Sequence, residues 1–485
     1  MYFTDYFQID PRILYSYGAF NVSLEADLPL FIDPFLLFNS KKAEYQKLHT
    51  EIITYIRFLR DKSAGQKLSA GLIKTWYQFP EIKQNWLGFT RFSNRGSGLG
   101  REFAKALHEN LTIICNDFGD EKITQQSHLE KLCLIKDGVG RDTISDFTTN
   151  LIKGYLLEYT QTFALQHLRP DQRARFGCSK VRFNYETESW EVEFFELPLL
   201  EDDYVILTPI DMLTRGNTWI NKEDLIKRFY YLPEALSDEG LRDQINNYLN
   251  RVIPLEPTQA QEREGITKTL QKFPILADYY IKDKELKGDE ASAISKELVD
   301  KAQKLFVTHV AFLVQKIMES PDIFEVAEGG TLSEAKKMVR HLKWVIENRD
   351  GYRIFYDNQG LVRLEEEDLQ ILYDLTWSQT ISDVNREVNN GRGPVDFKVS
   401  RGALDKSLVE FKLASNSQLK RNLQNQVEVY KEANDVEKAV KVVIFFTQKE
   451  KERVLKIIND LGLKEDTDVI LIDARNDNKK SASKV

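Results

Sequence analysis

The chain has 485 residues, of which 42% are hydrophobic and 29% charged, so it has enough apolar side chains for buried cores and is not a disordered polypeptide. Its formal net charge of -8 argues against a protein that coats nucleic acid with its whole surface, but it allows a local basic groove. The three cysteines lack zinc-ligand spacing, and an odd number suits a reducing compartment. No apolar run approaches the roughly 20 residues that span a membrane, so we expect a soluble cytoplasmic protein without a membrane partner.

The residue pattern predicts an α+β fold in which helical regions and a β-hairpin precede an α/β domain. The predicted segments are a mainly helical domain over 1–175, a β-hairpin region over 176–215, a second helical domain over 216–349, the α/β domain over 350–475 and a disordered tail over 476–485. Apolar residues at three- and four-residue steps predict N-terminal helices at 42–60, 66–77, 101–116 and 143–168. The pair Asp33-Pro34 favours a buried strand or loop within 28–38, and alternation over 179–197 predicts the hairpin.

The C-terminal segment contains the pattern of a small mixed domain. A short strand and turn are predicted at 351–360, and a helical pattern runs from 365–377 on to 383–389. Two adjacent antiparallel strands are predicted next, at 391–400 and 407–414. The remaining predicted elements are a helix at 417–434, a strand at 439–446, a helix at 449–461 and a strand at 468–473.

Three charged residues interrupt the two antiparallel strands, where an unpaired charge is unfavourable. Alternation places Asp396 opposite its apolar neighbours and puts Glu410 and Lys412 on one side of their strand, so adjacent strands can bring all three together. Two carboxylates suit Mg²⁺ (or Mn²⁺), which activates water and neutralises charge on a phosphate, and the Phe411 carbonyl offers a further ligand. Because an ammonium can stabilise the transition state, the trio suits metal-assisted cleavage of phosphodiester bonds.

The pattern D-(x13)-E-x-K on successive strands resembles the PD-(D/E)XK nuclease superfamily, which includes restriction endonucleases and RecB-like exonucleases. The first motif corresponds to Pro394–Asp396, with one residue between Pro and Asp, and the second to Glu410–Lys412. Gln426 and Tyr430 resemble the Gln-x-x-x-Tyr element of RecB-like members, and Glu387 lies on the predicted preceding helix, where many members carry an extra acid. The resemblance covers about residues 365–475 and implies a restriction-endonuclease-like αβββαβ core.

The resemblance also implies a role for each candidate residue. Two acids hold the metal, the lysine assists the attacking water, and the glutamine orients groups at the site. The candidates are Asp396, Glu410, Phe411 and Glu387 for the metal; Asp396, Glu410, Lys412 and Gln426 for catalysis; Tyr430 for support; and Arg392, Lys420 and Arg421 for nucleic-acid binding.

Structural alternatives stay open for these residues. Asp396 and Lys412 could form a cross-strand ion pair. Gln426 and Tyr430 lie one helical turn apart and could be ordinary packing residues. Three of the charged candidates could simply be solvated, namely Glu387, Lys420 and Arg421.

At the level of function, the resemblance implies a metal-dependent nuclease, with DNA favoured over RNA. A large accessory region joined to a small nuclease domain is common in prokaryotic restriction and anti-phage systems, which suggests a role in defence. The N-terminal regions would then recognise a target, or bind a partner protein or a second copy of the chain. The alternatives are an RNA-directed nuclease and a non-catalytic nucleic-acid-binding or scaffold subunit, although degenerate members normally lose an acid or the lysine.

Overall fold

The computed structural model describes the chain except for residues 25–26, 65–67, 89–98, 136–138, 310–329, 349–350, 357–361, 363–382, 390–393, 402–404, 427–437, 466–468 and 480–485. Helices dominate the N-terminal half. The first series is α1 (Phe3–Tyr6), α2 (Pro11–Tyr17), α3 (Pro34–Phe38), α4 (Ala43–Ser63), α5 (Ala70–Tyr77), α6 (Arg101–Ile114), α7 (Lys131–Ile135), α8 (Arg141–Leu151) and α9 (Lys153–His167). The second is α10 (Lys222–Arg228), α11 (Glu239–Val252), α12 (Gln259–Lys272), α13 (Ile275–Leu286) and α14 (Gly288–Ala302).

Short strands accompany the first helical series. Their bounds are β1 (Phe31–Ile32), β2 (Arg173–Cys178), β3 (Phe183–Asn184), β4 (Ser189–Trp190), β5 (Glu193–Leu200), β6 (Asp203–Tyr204) and β7 (Leu213–Thr214). β2, β5 and β6 form an antiparallel sheet that packs on α9, while β1 pairs with β7. β3 and β4 pair as the predicted hairpin, which is therefore confirmed.

Local chemistry accounts for two N-terminal predictions that hold only in part. The buried strand within 28–38 is confirmed at Phe31–Ile32 but is shorter than predicted. Residues 28–38 contain a two-residue strand followed by a helix, because the Asp33 carboxylate caps the helix by accepting from the Phe35 N–H at 3.0 Å and Pro34 occupies the first helical position. The predicted single helix over 143–168 is two helices, α8 and α9, which meet at Ile152. Ile152 is buried, so apolar periodicity continues across the break and hides it from a sequence pattern.

The C-terminal region is built on a mixed sheet with the strand order β12-β11-β10-β9-β8. The bounds are β8 (Asp383–Asn389), β9 (Pro394–Arg401), β10 (Asp405–Leu413), β11 (Lys438–Phe445) and β12 (Val469–Asp473). β8, β9 and β10 are antiparallel neighbours, whereas β10, β11 and β12 run parallel. The antiparallel pairing predicted for β9 and β10 is confirmed, and β10 lies in the middle of the sheet.

Helices cover both faces of this sheet. The long helix α15 (Gly330–Asn348) packs on β9, β10, β11 and β12, and its apolar side chains join the sheet residues with odd numbers on β9 and β10 in one core. The opposite face packs against α16 (Leu419–Arg421), which continues as a π-helical turn (Asn422–Gln426), and against α17 (Gln448–Asp460). The predicted division at residue 350 separates α15 from the sheet on which it packs.

These elements confirm an α+β protein but change parts of the C-terminal prediction. Residues 383–389 form a strand rather than a helix, and Gly351–Phe355 is a 3-10 helix rather than a strand. The predicted helix at 365–377 lies outside the described residues, as do residues 427–434 of the one at 417–434. Among the described helices, none has the length and apolar character needed to cross a membrane.

Candidate active site

Asp396 and Glu410 lie opposite each other on two neighbouring strands. They belong to one row of residues across the sheet, which we call the acidic level. The pairing of β9 with β10 matches Val409 with Phe397, so one further step along each strand places Glu410 opposite Asp396. Residues directly opposite each other in an antiparallel pair have Cβ atoms roughly 4.5–5.5 Å apart. The backbone therefore brings together the two acids that the sequence selected, although the Asp396 side chain lies outside the described atoms.

Glu387 lies at this level too, but for a reason that the sequence did not suggest. The predicted helix is the edge strand β8, whose pairing with β9 matches Arg386 with Phe397. The next step in that register places Glu387 beside Asp396. The prediction that Glu387 lies on a helix is therefore wrong, because the residue lies on a strand. Its side chain lies outside the described atoms.

Glu410 and Lys412 form the described part of the predicted catalytic set. They are two residues apart on β10, so both lie on the same face of the sheet. The Lys412 Nζ is 3.3 Å from the Glu410 Oε1, and the two side chains are only 9% and 7% exposed. Lys412 pairs with Val443, which belongs to the core under α17, so Glu410 and Lys412 face α16 and α17 rather than α15.

Phe411 lies between them and points the other way. Its side chain is fully buried in the core under α15, 6.2 Å from Phe397 between ring centroids. Only the backbone carbonyl of Phe411 can therefore serve as a ligand, as the sequence predicts. The aromatic ring has the separate task of fixing β10 on the helix.

Lys441 lies at the acidic level on the next strand, β11, and was not among the residues predicted from the sequence. The parallel pairing of β10 with β11 matches Glu410 directly with Lys441. Its Nζ donates to the Leu423 carbonyl at 3.0 Å, which ties β11 to the π-helical turn that ends at Gln426. The signal was present in the sequence, since Lys441 is a charged residue inside the apolar run Ala439–Phe446.

Lys420 and Arg421 are exposed on α16. The Lys420 Nζ lies 3.0 Å from the Asp460 Oδ2 at the end of α17, with both side chains well exposed. This surface ion pair is compatible with either prediction for Lys420, a phosphate contact or a solvated charge. Arg392 and Tyr430 lie outside the described residues, and so does the side chain of Gln426.

The donors at this level suit a hard divalent cation. Carboxylates and a backbone carbonyl are oxygen ligands, which Mg²⁺ and Mn²⁺ prefer over sulfur or nitrogen. Among the side chains that the structure describes, no three His, Cys, Asp or Glu converge as metal ligands. Asp396 and Glu387 are not in that set, so Glu410 is its described member at this site.

Two family models match separate parts of the chain. One, described as a domain of unknown function (DUF8370), matches residues 8–221, and the other, described as a domain of unknown function (DUF8371), matches residues 331–448. The second match begins in α15 and extends through β11, so it includes the whole level from Glu387 to Lys441. No curated protein and no solved structure matches the chain.

Proposed function

We propose that the C-terminal sheet carries a metal-dependent nuclease site that hydrolyses phosphodiester bonds. The observation that carries this proposal is the burial of Glu410 beside Lys412 on one face of β10, in register with Asp396 on β9. The contact between them lies within one strand and places an acid and a lysine side by side on one face of the sheet. This arrangement suits a ligand that supplies a metal cation to the acid and a phosphate to the lysine.

Each residue has a distinct task in the proposed reaction. Asp396 and Glu410 would hold Mg²⁺ with help from Glu387 and the Phe411 carbonyl. When bound, Mg²⁺ supplies Lewis acidity toward phosphate oxygens and lowers the pKa of coordinated water. Lys412 would place its ammonium where negative charge develops on the phosphate, and its burial strengthens that interaction.

DNA is the favoured substrate, and a prokaryotic restriction or anti-phage system is the favoured setting. Between residues 391 and 440, nine Lys and Arg oppose seven Asp and Glu, whereas the whole chain has a formal net charge of -8. The local excess of positive charge supports binding to a phosphate backbone. The large N-terminal region supports the role in defence, by the resemblance to nucleases with accessory regions.

The test is cleavage of supercoiled plasmid, linear DNA and total RNA by the full chain and by Lys412→Met, with Mg²⁺, with Mn²⁺ and with EDTA. We expect the parent chain to cut DNA only with metal and Lys412→Met to lose roughly 100- to 1,000-fold in rate. Cleavage of RNA alone would support the RNA-directed alternative. Equal cutting by both chains, or cutting in EDTA, would overturn the assignment.

A matched pair of acid variants separates the site from general surface charge. Glu410→Gln removes a buried carboxylate at the proposed site, and Glu452→Gln removes an exposed carboxylate on α17. Only Glu410→Gln should abolish cleavage, with Mg²⁺ binding measured by calorimetry falling in parallel. If neither variant nor the parent binds Mg²⁺ or cuts any substrate, the scaffold alternative replaces the nuclease.

A further inference from the structure

A cavity of about 580 Å³ opens between α4, the junction of α8 and α9, and the β3–β4 hairpin. This volume lies within the roughly 300–1,000 Å³ of small-molecule sites. The cavity is built from N-terminal residues within the match to the first family model, and none of its lining residues belongs to the C-terminal sheet. It is therefore separate from the proposed nuclease site.

The hairpin gives the cavity an aromatic wall. Phe183 lies 5.0 Å from Tyr55, 5.1 Å from Tyr185 and 5.2 Å from Trp190 between ring centroids. Tyr155, on α9, also lines the cavity. The faces of aromatic rings carry partial negative charge, so such a wall attracts cations as well as planar groups.

The rim of the cavity has an excess of negative charge. Its lining contains three carboxylates, Glu44, Glu51 and Glu158, and two cations, Lys47 and Arg182. Both cations already contact acids. The Lys47 Nζ is 3.6 Å from Glu51, and Arg182 contacts Glu158 and also Glu193 at 2.9 Å.

Two of the rim carboxylates interact electrostatically with tyrosines that line the cavity. Burial, followed by the charge of Glu51, raises the pKa of Tyr185 to about 12. Burial is also the main reason that the pKa of Tyr155 is raised to about 12, and the charge of Glu44 adds to it. A carboxylate beside an aromatic face is the combination that binds an organic cation, because the ring holds its weakly hydrated part and the acid balances its charge.

We propose that this cavity binds an organic cation, namely an ammonium or guanidinium group on an alkyl chain. The cationic group would lie between Glu51 and the ring of Tyr185, and the alkyl chain would cover the apolar floor at Leu151 and Ile152. An anion such as a nucleotide would have to displace Glu158 from Arg182 and Glu51 from Lys47, and the net rim charge opposes it.

The experiment is calorimetric titration of the full chain with butylguanidinium and butylammonium, and with AMP as an anionic aromatic probe. We expect saturable binding of the cations that weakens as salt is added, with no binding of AMP. Glu51→Gln should weaken cation binding roughly two- to fivefold. Tyr185→Leu should weaken it by a similar factor of roughly two to five.

Glu186→Gln is the matched control, because Glu186 is an exposed acid on the same hairpin that does not line the cavity. It should bind the cations as the parent does. Both target side chains are exposed at the rim, so unchanged thermal melting should accompany weaker binding. Binding of AMP alone, absence of saturable binding by all three probes, or equal affinity of Glu51→Gln and Glu186→Gln would each overturn the proposal.

Discussion

The two halves of the molecule bury charge in different ways. In the N-terminal region, Lys131 on α7 is 4% exposed and contacts Asp278 on α13 at 2.6 Å and Asp117 at 2.9 Å. That ammonium holds separate elements together. In the C-terminal sheet, Glu410 and Lys412 are similarly buried, but both lie on β10, so the contact between them lies within one strand. Burial of charge alone therefore does not indicate a site, and the proposal for Glu410 and Lys412 also rests on their position beside Asp396 on the neighbouring strand.

The largest effect that tests this difference is on stability. Lys131→Met should lower the free energy of unfolding by about 3 kcal/mol, because it leaves Asp278 and Asp117 without their shared cation. Glu410→Gln should not lower the free energy of unfolding, since the substitution removes one of several neighbouring acids of the proposed metal site. Chemical denaturation of both variants measures the contrast.

Lys268→Met is the control, because its ion pair with Glu264 is more than half exposed and should contribute little to stability. If Glu410→Gln destabilises the chain as much as Lys131→Met, the buried acid has a structural role. The proposed distinction between the two regions would then be wrong.

The second prediction concerns Lys441 as a positioning residue. Its bond to the Leu423 carbonyl links Glu410's neighbouring strand to the turn that ends at Gln426. Lys441→Met should reduce kcat roughly tenfold and leave KM unchanged, as expected for loss of support behind a metal site. Lys441→Arg should restore part of the loss, and steady-state cleavage kinetics measure both. A rise in KM with constant kcat would instead assign Lys441 to substrate binding.

The third prediction is that the two regions respond oppositely to pH. Burial raises the pKa of Asp33 from 3.8 to about 6, and it raises the pKa of its hydrogen-bonded neighbour Glu130 well above the ordinary value. A raised carboxyl pKa gives stability that is present below the unfolded value and lost as the pH rises through the folded value. The N-terminal region should therefore lose stability, and with it protection from hydrogen exchange, as the pH rises through about 6.

Asp473 on β12 has the opposite sign. Burial opposes its ionisation, but hydrogen bonds from Arg475 outweigh burial and hold the pKa of Asp473 below 3.8. Its stability contribution is present above that value and lost only as the pH falls below it. Hydrogen exchange resolved by region measures both trends. Glu130→Gln should flatten the N-terminal trend and leave the C-terminal one, and an unchanged N-terminal slope would show that the Asp33–Glu130 pair is not its source.

The smallest expected effect distinguishes the two interpretations of Lys420. Lys420→Ala should change stability by less than about 0.5 kcal/mol, because its partner Asp460 is on the surface. If Lys420 contacts phosphate, the variant should bind DNA more weakly at low salt, and the salt dependence of binding should fall by about one counterion. Identical salt dependence in the parent and the variant would assign Lys420 to the solvated surface.

The sequence predicted the strands and helices of the C-terminal region best where independent signals agreed. β10, β11, α17 and β12 all occur within a few residues of their predicted bounds. Alternation fixed β10, and α17 begins with a capping box in which Thr447 accepts from Glu450 N–H while the Glu450 carboxylate accepts from Thr447 N–H. Local chemistry of this kind is visible in one sequence.

β8 was predicted incorrectly because its signal is ambiguous. Val384 and Val388 are four residues apart, a spacing that fits one face of a helix and also one face of a strand. Asn385 and Asn389 disfavour a strand interior, and edge strands tolerate such residues. Only pairing with β9 decides between the two structures, and that pairing also brings Glu387 to Asp396.

Lys441 and Lys131 escaped prediction for a different reason. Lys441 lies beside Glu410 only because β11 pairs in parallel with β10. Lys131 forms its ion pair with Asp278, which is on a helix distant in the sequence. Neither relation leaves a local periodicity in the sequence. Candidate residues on adjacent strands could be inferred from alternation, whereas partners that are brought together by crossovers could not.

The central position of β10 has a consequence for when the site forms during folding. On one side β10 pairs with β9, which precedes it by only a few residues. On the other side it pairs in parallel with β11, which follows only after a longer intervening segment. Connections that span more chain close later, because they lose more loop entropy. Under the proposed function, Asp396 and Glu410 would meet first and Lys441 last. A chain still leaving the ribosome would therefore lack the support that Lys441 gives to the site, and it would cut nucleic acid more slowly than the finished protein.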